Sequence, residues 1–145
     1  MTIALATDHA GFELKEIVKK YLIELGITVK DFGATEFDAL DDYSDFIIPA
    51  AEFVANDNKI KGIFFGGSGQ GEAMAANRIK EVRAAVYYGG PTEIVKLSRQ
   101  HNDANILSLG ARFITPEKAK EVIDIWMNIK FEGGRHQRRI EKLDL

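Results

Sequence analysis

The sequence predicts an α/β fold in three layers, with helices on both faces of a five-stranded parallel sheet. Two observations carry this. Short apolar runs alternate five times with segments of helical period, the order that a parallel sheet with crossover helices requires. One of these runs, Ile63–Phe65, is apolar at every position, as in a strand buried on both faces. No repeat, low-complexity stretch or linker interrupts the pattern, so residues 1–145 are expected to form one domain.

Ile3–Thr7 reads as the first strand, and Asp8-His9-Ala10-Gly11 as its C-terminal turn. Leu14, Ile17, Val18, Tyr21, Leu22 and Leu25 keep the spacing of one helical face, and Gly26 ends that helix. Ile27–Phe32 is the second strand, and Gly33–Asp42 an acidic loop. Tyr43–Val54 carries the second helix, with Ile47, Ala50, Ala51 and Val54 inward. After the third strand a Gly-rich turn leads into a helix of small residues. Val82–Tyr87 is the fourth strand. Gly89-Gly90-Pro91 opens the next helix, with proline at a permitted first position, and its inward face is Ile94, Leu97, Ser98 and His101. Ile106–Leu109 is the fifth strand. Thr115-Pro116-Glu117 starts the fifth helix, whose apolar face includes Ala119, Val122, Ile123 and Trp126. The tail, about 131–145, ends in a short helix.

Hydrophobic residues make up 46% and charged residues 28%, ordinary values for a soluble globular chain. The formal net charge of −3 gives no reason to expect a nucleic-acid partner. The absence of cysteine excludes disulfides, a thiolate nucleophile and Cys-based metal sites. The N-terminus lacks a basic n-region, and no apolar run approaches membrane-spanning length. A cytoplasmic protein with no membrane partner is expected.

The chemistry concentrates in Gly66-Gly67-Ser68-Gly69-Gln70-Gly71-Glu72. A strand, a Gly-rich turn and a helix N-terminus together make an anion site, because backbone N–H groups point outward and glycines allow close approach. Glu72 stands at the lip of that site. An acid there suits a base that removes a proton while the N–H groups hold the oxyanion that forms. Read alone, Glu72 is an acid that complements a helix dipole; the adjoining glycines favour the base. The turn matches neither a dinucleotide-binding G-x-G-x-x-G nor a nucleophile elbow, and there is no Walker lysine.

Asp8-His9 follows strand one and faces the same crevice if strands one and three are neighbours. His101 closes a helix, where a histidine is favourable on dipole grounds alone. Arg135, Arg138 and Arg139 share one helical face, and Arg112 follows strand five; one or two arginines suffice to clamp a phosphate. No cluster has metal-ligand spacing, and no cofactor signature is present, so neither a metal nor a cofactor is expected. A carboxylate base, an oxyanion site, histidines and arginines suit proton abstraction alpha to a carbonyl on a phosphorylated substrate.

Asp8-His9-Ala10-Gly11, Asp42-Tyr43, the glycine turn with Ala75-Ala76-Asn77, Arg99-Gln-His101-Asn102-Asp-Ala-Asn105, Leu109-Gly-Ala-Arg112 and Glu132-Gly-Gly-Arg135-His-Gln-Arg138-Arg139 resemble the ribose-5-phosphate isomerase B family, which includes the galactose-6-phosphate isomerase subunits. The resemblance spans nearly the whole chain. It implies a Rossmann-like sheet in the order 2-1-3-5-4 and a metal-free, cofactor-free aldose–ketose isomerase of carbohydrate metabolism acting on a small-molecule sugar phosphate. It further implies that His101 helps to open the sugar ring and that Asp8 and His9 contact substrate, with Tyr43 lining the pocket. The Gly67, Ser68, Gly69, Gln70 and Gly71 loop would stabilise the enediolate, with Ser68 assisting. Asn102, Arg112, Arg135 and Arg139 would bind hydroxyls or phosphate. Many family members carry a catalytic Cys where this chain has Gly66; another branch carries Glu at the position of Glu72, and this chain resembles that branch. Ser44 replaces a usual proline, and Tyr87–Pro91 is about two residues longer than usual. Ribose 5-phosphate is the first expected substrate. A hexose phosphate, of galactose-6-phosphate or allose-6-phosphate type, is the alternative, and a non-catalytic sugar-phosphate-binding protein is a third reading.

A homodimer with shared sites follows from geometry. Glu72 begins the helix after strand three and lies at the C-terminal edge of the sheet. His101 ends the helix after strand four and lies at the opposite edge. A five-residue strand spans roughly 16 Å, beyond any side chain. If both serve one site, His101 must come from a partner related by a two-fold axis. The family resemblance implies the same interface, packed by the C-terminal tail and compatible with a dimer of dimers.

Overall fold

In the computed structural model, which describes residues 1–145, five strands hydrogen-bond in the order β2-β1-β3-β5-β4, all parallel. They are β1 (Thr2–Thr7), β2 (Thr28–Asp31), β3 (Ile60–Gly66), β4 (Ala84–Tyr87) and β5 (Ile106–Gly110). The helices are α1 (Phe12–Glu24), α2 (Tyr43–Ala55), α3 (Gln70–Ala76), α4 (Glu93–Gln100), α5 (Pro116–Asn128) and α6 (Arg135–Glu141), with 3₁₀ turns at His9–Gly11 and Lys142–Asp144.

Successive side chains of a strand point to opposite faces, and this sorts the core into two. Ile3, Leu5, Ile63 and Phe65 meet α1, α4 and α5 through Leu14, Val18, Val95, Val122 and Trp126. Ala4, Ala6 and Phe64 meet α2 and α3 through Ile47, Ala50, Val54 and Ala76. Neighbouring β1 and β3, in register from Thr2 opposite Ile60 to Thr7 opposite Phe65, bring the turn after β1 beside the glycine turn after β3.

Two expected faces are revised. On α1, Ile17 and Leu25 are exposed, while Lys15 is fully buried. Its Nζ donates to both oxygens of Asp31 at 2.9 Å and to the Ala34 carbonyl at 2.6 Å, so the buried charge is paired and hydrogen-bonded. On α4, Ile94 is exposed and the buried residues are Val95, Ser98 and Arg99. Arg99 is drawn inward because its guanidinium donates to Asp103, the Ala104 carbonyl and the Ile129 carbonyl, and lies over the Trp126 ring. The helix also begins at Glu93 with Thr92 as its N-cap, so Pro91 precedes it rather than occupying its first turn.

β4 is an edge strand. The Asn77 side chain, just past α3, donates to the Ala84 carbonyl at 3.0 Å and accepts from the Ala84 N–H at 2.8 Å. No helix is long and apolar enough to cross a membrane.

Candidate active site

The parallel sheet divides the expected site residues into two groups. At the edge where strands end lie Asp8, His9, Tyr43, the Gly67–Gly71 turn, Glu72 and Arg112. At the edge where strands begin lie His101, Asn102, Arg135 and Arg139. β5 measures the separation: His101 comes before it and Arg112 after it, and its five residues span roughly 16 Å.

Glu72, expected at the lip of the crevice, lies deeper: its residue is only 4% exposed. The absence of a side chain at Gly66 makes the room, since a Cβ built there would fall within the Glu72 carboxylate. Burial is the main reason that its acidity is weakened, with the pKa raised to about 7. Its own backbone N–H opposes the shift, and the charge of nearby Asp8 adds to it. The carboxyl is therefore poised between its two protonation states at neutral pH, the condition that general acid–base chemistry wants.

The turn beside it is open to an anion. The N–H groups of Gly67, Ser68 and Gly69 make no hydrogen bond within the chain. Gly69 adopts φ +80°, which lets the chain reverse into α3, and Ser108 Oγ donates to its carbonyl at 2.6 Å. Ser68 Oγ accepts from the Gln70 N–H at 3.3 Å. Tyr43 packs against Gly71, and the Arg112 guanidinium lies against Gly67. The exposed rings of Tyr88 and Phe113, the latter next to Arg112 in the chain, face each other with centroids 6.1 Å apart.

The first turn supplies Asp8 and His9. Asp8 Oδ1 accepts from the Ala10 N–H at 3.0 Å, and His9 is held by Asp41. Asp41 had no signal of its own within the acidic loop; only the folded chain places it beside His9.

At the opposite edge, the His101 and His136 rings stack at 4.3 Å with 13° between their planes. Glu132 Oε1 stands 3.8 Å from His101 Nε2 and 3.7 Å from His136 Nε2. Burial is the main cause that lowers the His136 pKa, helped by the charges of His101 and Arg135. The turn after His101 is pinned, as Arg83 Nε donates to the carbonyls of Asn102 (3.1 Å) and Asp103 (2.9 Å). Arg112, Arg135 and Arg139 are exposed and form no ion pair with the chain's own carboxylates, so their charge is available to a ligand.

Sequence spacing gives no metal cluster, yet folding gathers two groups of three ligating side chains, each within 4.8 Å: His101–Glu132–His136 and Asp8–His9–Asp41. Neither suits a tetrahedral ion. The imidazoles of the first lie nearly parallel, so their in-plane lone pairs do not converge. In the second, the His9 Nδ1 and one Asp8 oxygen are already engaged.

The model of the family described as Ribose/Galactose Isomerase matches residues 3–143. The chain is 43% identical over 142 residues to the probable ribose-5-phosphate isomerase B of Mycoplasma pneumoniae, covering 97% of this chain and 91% of that one. It is 38% identical over 141 residues to the ribose-5-phosphate isomerase B of Escherichia coli, covering 97% and 93%. Among solved structures, it is similar to ribose-5-phosphate isomerase B from Mycoplasma genitalium with bound ribulose 5-phosphate, with TM-score 0.93 and 40% identity over 98% of this chain and 93% of that one.

Proposed function

The chain belongs to the ribose/galactose isomerase family, and from that premise we propose the division of labour in its site. The protein is an aldose–ketose isomerase that interconverts ribose 5-phosphate and ribulose 5-phosphate. One observation carries the proposed mechanism: a buried carboxyl with pKa about 7 lies beside unpaired backbone N–H groups.

In this reading His101 opens the furanose ring by moving a proton from the O1 hydroxyl to the ring oxygen. Ionised Glu72 then takes the proton from C2 of the aldehyde. The electrons of that C–H bond form the C1–C2 double bond, and charge accumulates on O1. The N–H groups of Gly67, Ser68 and Gly69 face that charge. Ser68 relays the O2 proton toward O1, and Glu72 returns its own proton to C1, giving the ketose. Asp8, Tyr43, Gln70, Gly71 and Asn102 hold the sugar, His9 contacts the substrate beside Arg112, and Arg112, Arg135 and Arg139 hold the phosphate. No step in this scheme calls for a metal or cofactor.

Because His101, Arg135 and Arg139 lie at the opposite edge from Glu72, the working site is shared across a homodimer, with the tail at the interface. A cytoplasmic location suits such an enzyme. The test is turnover of ribose 5-phosphate set beside allose 6-phosphate, galactose 6-phosphate and unphosphorylated ribose, with Glu72→Gln as the control. Turnover of ribose 5-phosphate that persists at near-normal kcat in Glu72→Gln would remove Glu72 from this scheme.

A further inference from the structure

Asp41 lies in the loop before α2, one of three acids in Asp38–Asp42. Its side chain is 8% exposed, far more buried than a loop carboxylate usually is. Oδ1 accepts twice from the same residue: from the His9 backbone N–H at 3.2 Å and from ring Nδ1 at 2.8 Å. Oδ2 is buried and has no partner. A buried carboxylate with one unsatisfied oxygen is costly unless a cation sits against it. The group that can be that cation is the His9 imidazole.

Resting on the sugar-phosphate reading above, we propose that Asp41 is a positioning residue that holds the His9 ring in place and keeps it an imidazolium, so that His9 Nε2 meets the substrate phosphate as a cation beside Arg112. The double contact fixes both the main chain and the ring, which leaves Nε2 as the only free ring nitrogen. The Phe37 ring stands edge-on to the imidazole at 5.9 Å and limits its swing.

Three charged groups face His9. Asp41 raises its pKa, chiefly through the hydrogen bond; desolvation of the ring lowers it; the charge of Asp8 acts with Asp41, and Arg112 acts against both. The sum is upward from 6.5, so the ring holds its proton to a higher pH than a free histidine does. Without Asp41, only the charge of Asp8 remains to offset desolvation and Arg112.

The experiment follows His9 by ¹H–¹⁵N NMR titration in the substrate-free protein, assigned with His9→Gln, and measures inorganic phosphate affinity from pH 5.5 to 8.5. In the wild type, the His9 midpoint is expected above 6.5, and phosphate affinity should fall as pH rises through it. In Asp41→Asn the midpoint should drop by about one unit, for loss of one charge-assisted bond. Its phosphate affinity should match the wild type at pH 5.5 and fall about tenfold short at pH 7.5. With ribose 5-phosphate the same loss should appear in KM. An unchanged midpoint in Asp41→Asn, or a phosphate deficit of equal size at every pH, would assign Asp41 a purely structural role. Should Asp41→Asn fail to fold, the wild type still decides, since a midpoint at or below 6.5 overturns the proposal. Phosphate binding that follows His9, in a protein that does not turn over ribose 5-phosphate, would leave the Asp41–His9 coupling standing and reject the reaction.

Discussion

The carboxylate of Glu72 occupies the volume that a side chain on Gly66 would take. The two positions are therefore alternatives: a reactive group can be offered to the crevice from the end of β3 or from the first turn of α3, and one excludes the other. Gly66→Ala should abolish turnover although Glu72 is still present, because the methyl group evicts the carboxylate. Gly66→Cys should be equally poor, and Gly66→Cys with Glu72→Ala better than either single change, because a thiolate then has the space. Full activity in Gly66→Ala would show that Glu72 works from another rotamer.

Glu72 also links activity to pH. As a base it must be ionised, so kcat should rise through pH about 7, and Glu72→Gln should lose about 10²–10⁴-fold with substrate binding retained. A profile flat from pH 5.5 to 8.5 would exclude it as the titrating base.

Stability should move the other way. Glu72 binds its proton more tightly in the folded chain, at about 7, than in the unfolded chain, near 4.5. Between those values the folded state holds the extra proton, so stability falls as pH rises, and the full deficit, roughly 3 kcal/mol at most, is present above pH 7. Denaturant unfolding at pH 8 should find Glu72→Gln more stable than the wild type by about 1–3 kcal/mol, with the gap closing toward pH 4.5. A variant less stable at pH 8 would mean that the ionised carboxylate has stabilising partners after all.

Subunit mixing tests the shared site. Glu72→Gln and His101→Asn should each be inactive alone. In a heterodimer one site collects both lesions and the other collects none, so exchange of subunits should restore up to about a quarter of wild-type activity, as half the dimers are mixed and half their sites intact. No recovery despite demonstrated exchange would place each Glu72 and His101 in separate sites.

Phosphate selection should follow the unpaired arginines. Arg135→Ala or Arg139→Ala should raise KM for ribose 5-phosphate by about tenfold or more, since each removes a charge-assisted contact. KM for ribose 5-phosphate that stays at the wild-type value in both variants would exclude them from the phosphate site.

The layers and the glycine turn were legible because each rests on local pattern: apolar runs of strand length, period-3.6 faces, and glycines where the chain must reverse; the strand order followed only from the family resemblance. Long-range polar pairing was not. Lys15 reads as a solvent-facing residue until Asp31 and the Ala34 carbonyl meet it. Arg99 breaks the apolar stripe of α4 and is buried all the same, because carbonyls 5 and 30 residues away take its protons. Asp41 is one acid among several until the fold places His9 against it. Burial of Glu72 needed knowledge of the space above Gly66, which no periodicity encodes.

The Asn77–Ala84 pairing bears on how this molecule associates. A flank strand leaves unmated backbone groups that invite another chain to continue the sheet, the route to open-ended stacking. At Ala84 both groups are already taken by one amide that mimics a strand residue. A second molecule approaching this flank finds the ladder stoppered at that residue. Sheet extension from this flank is thereby opposed at the residue where β4 begins.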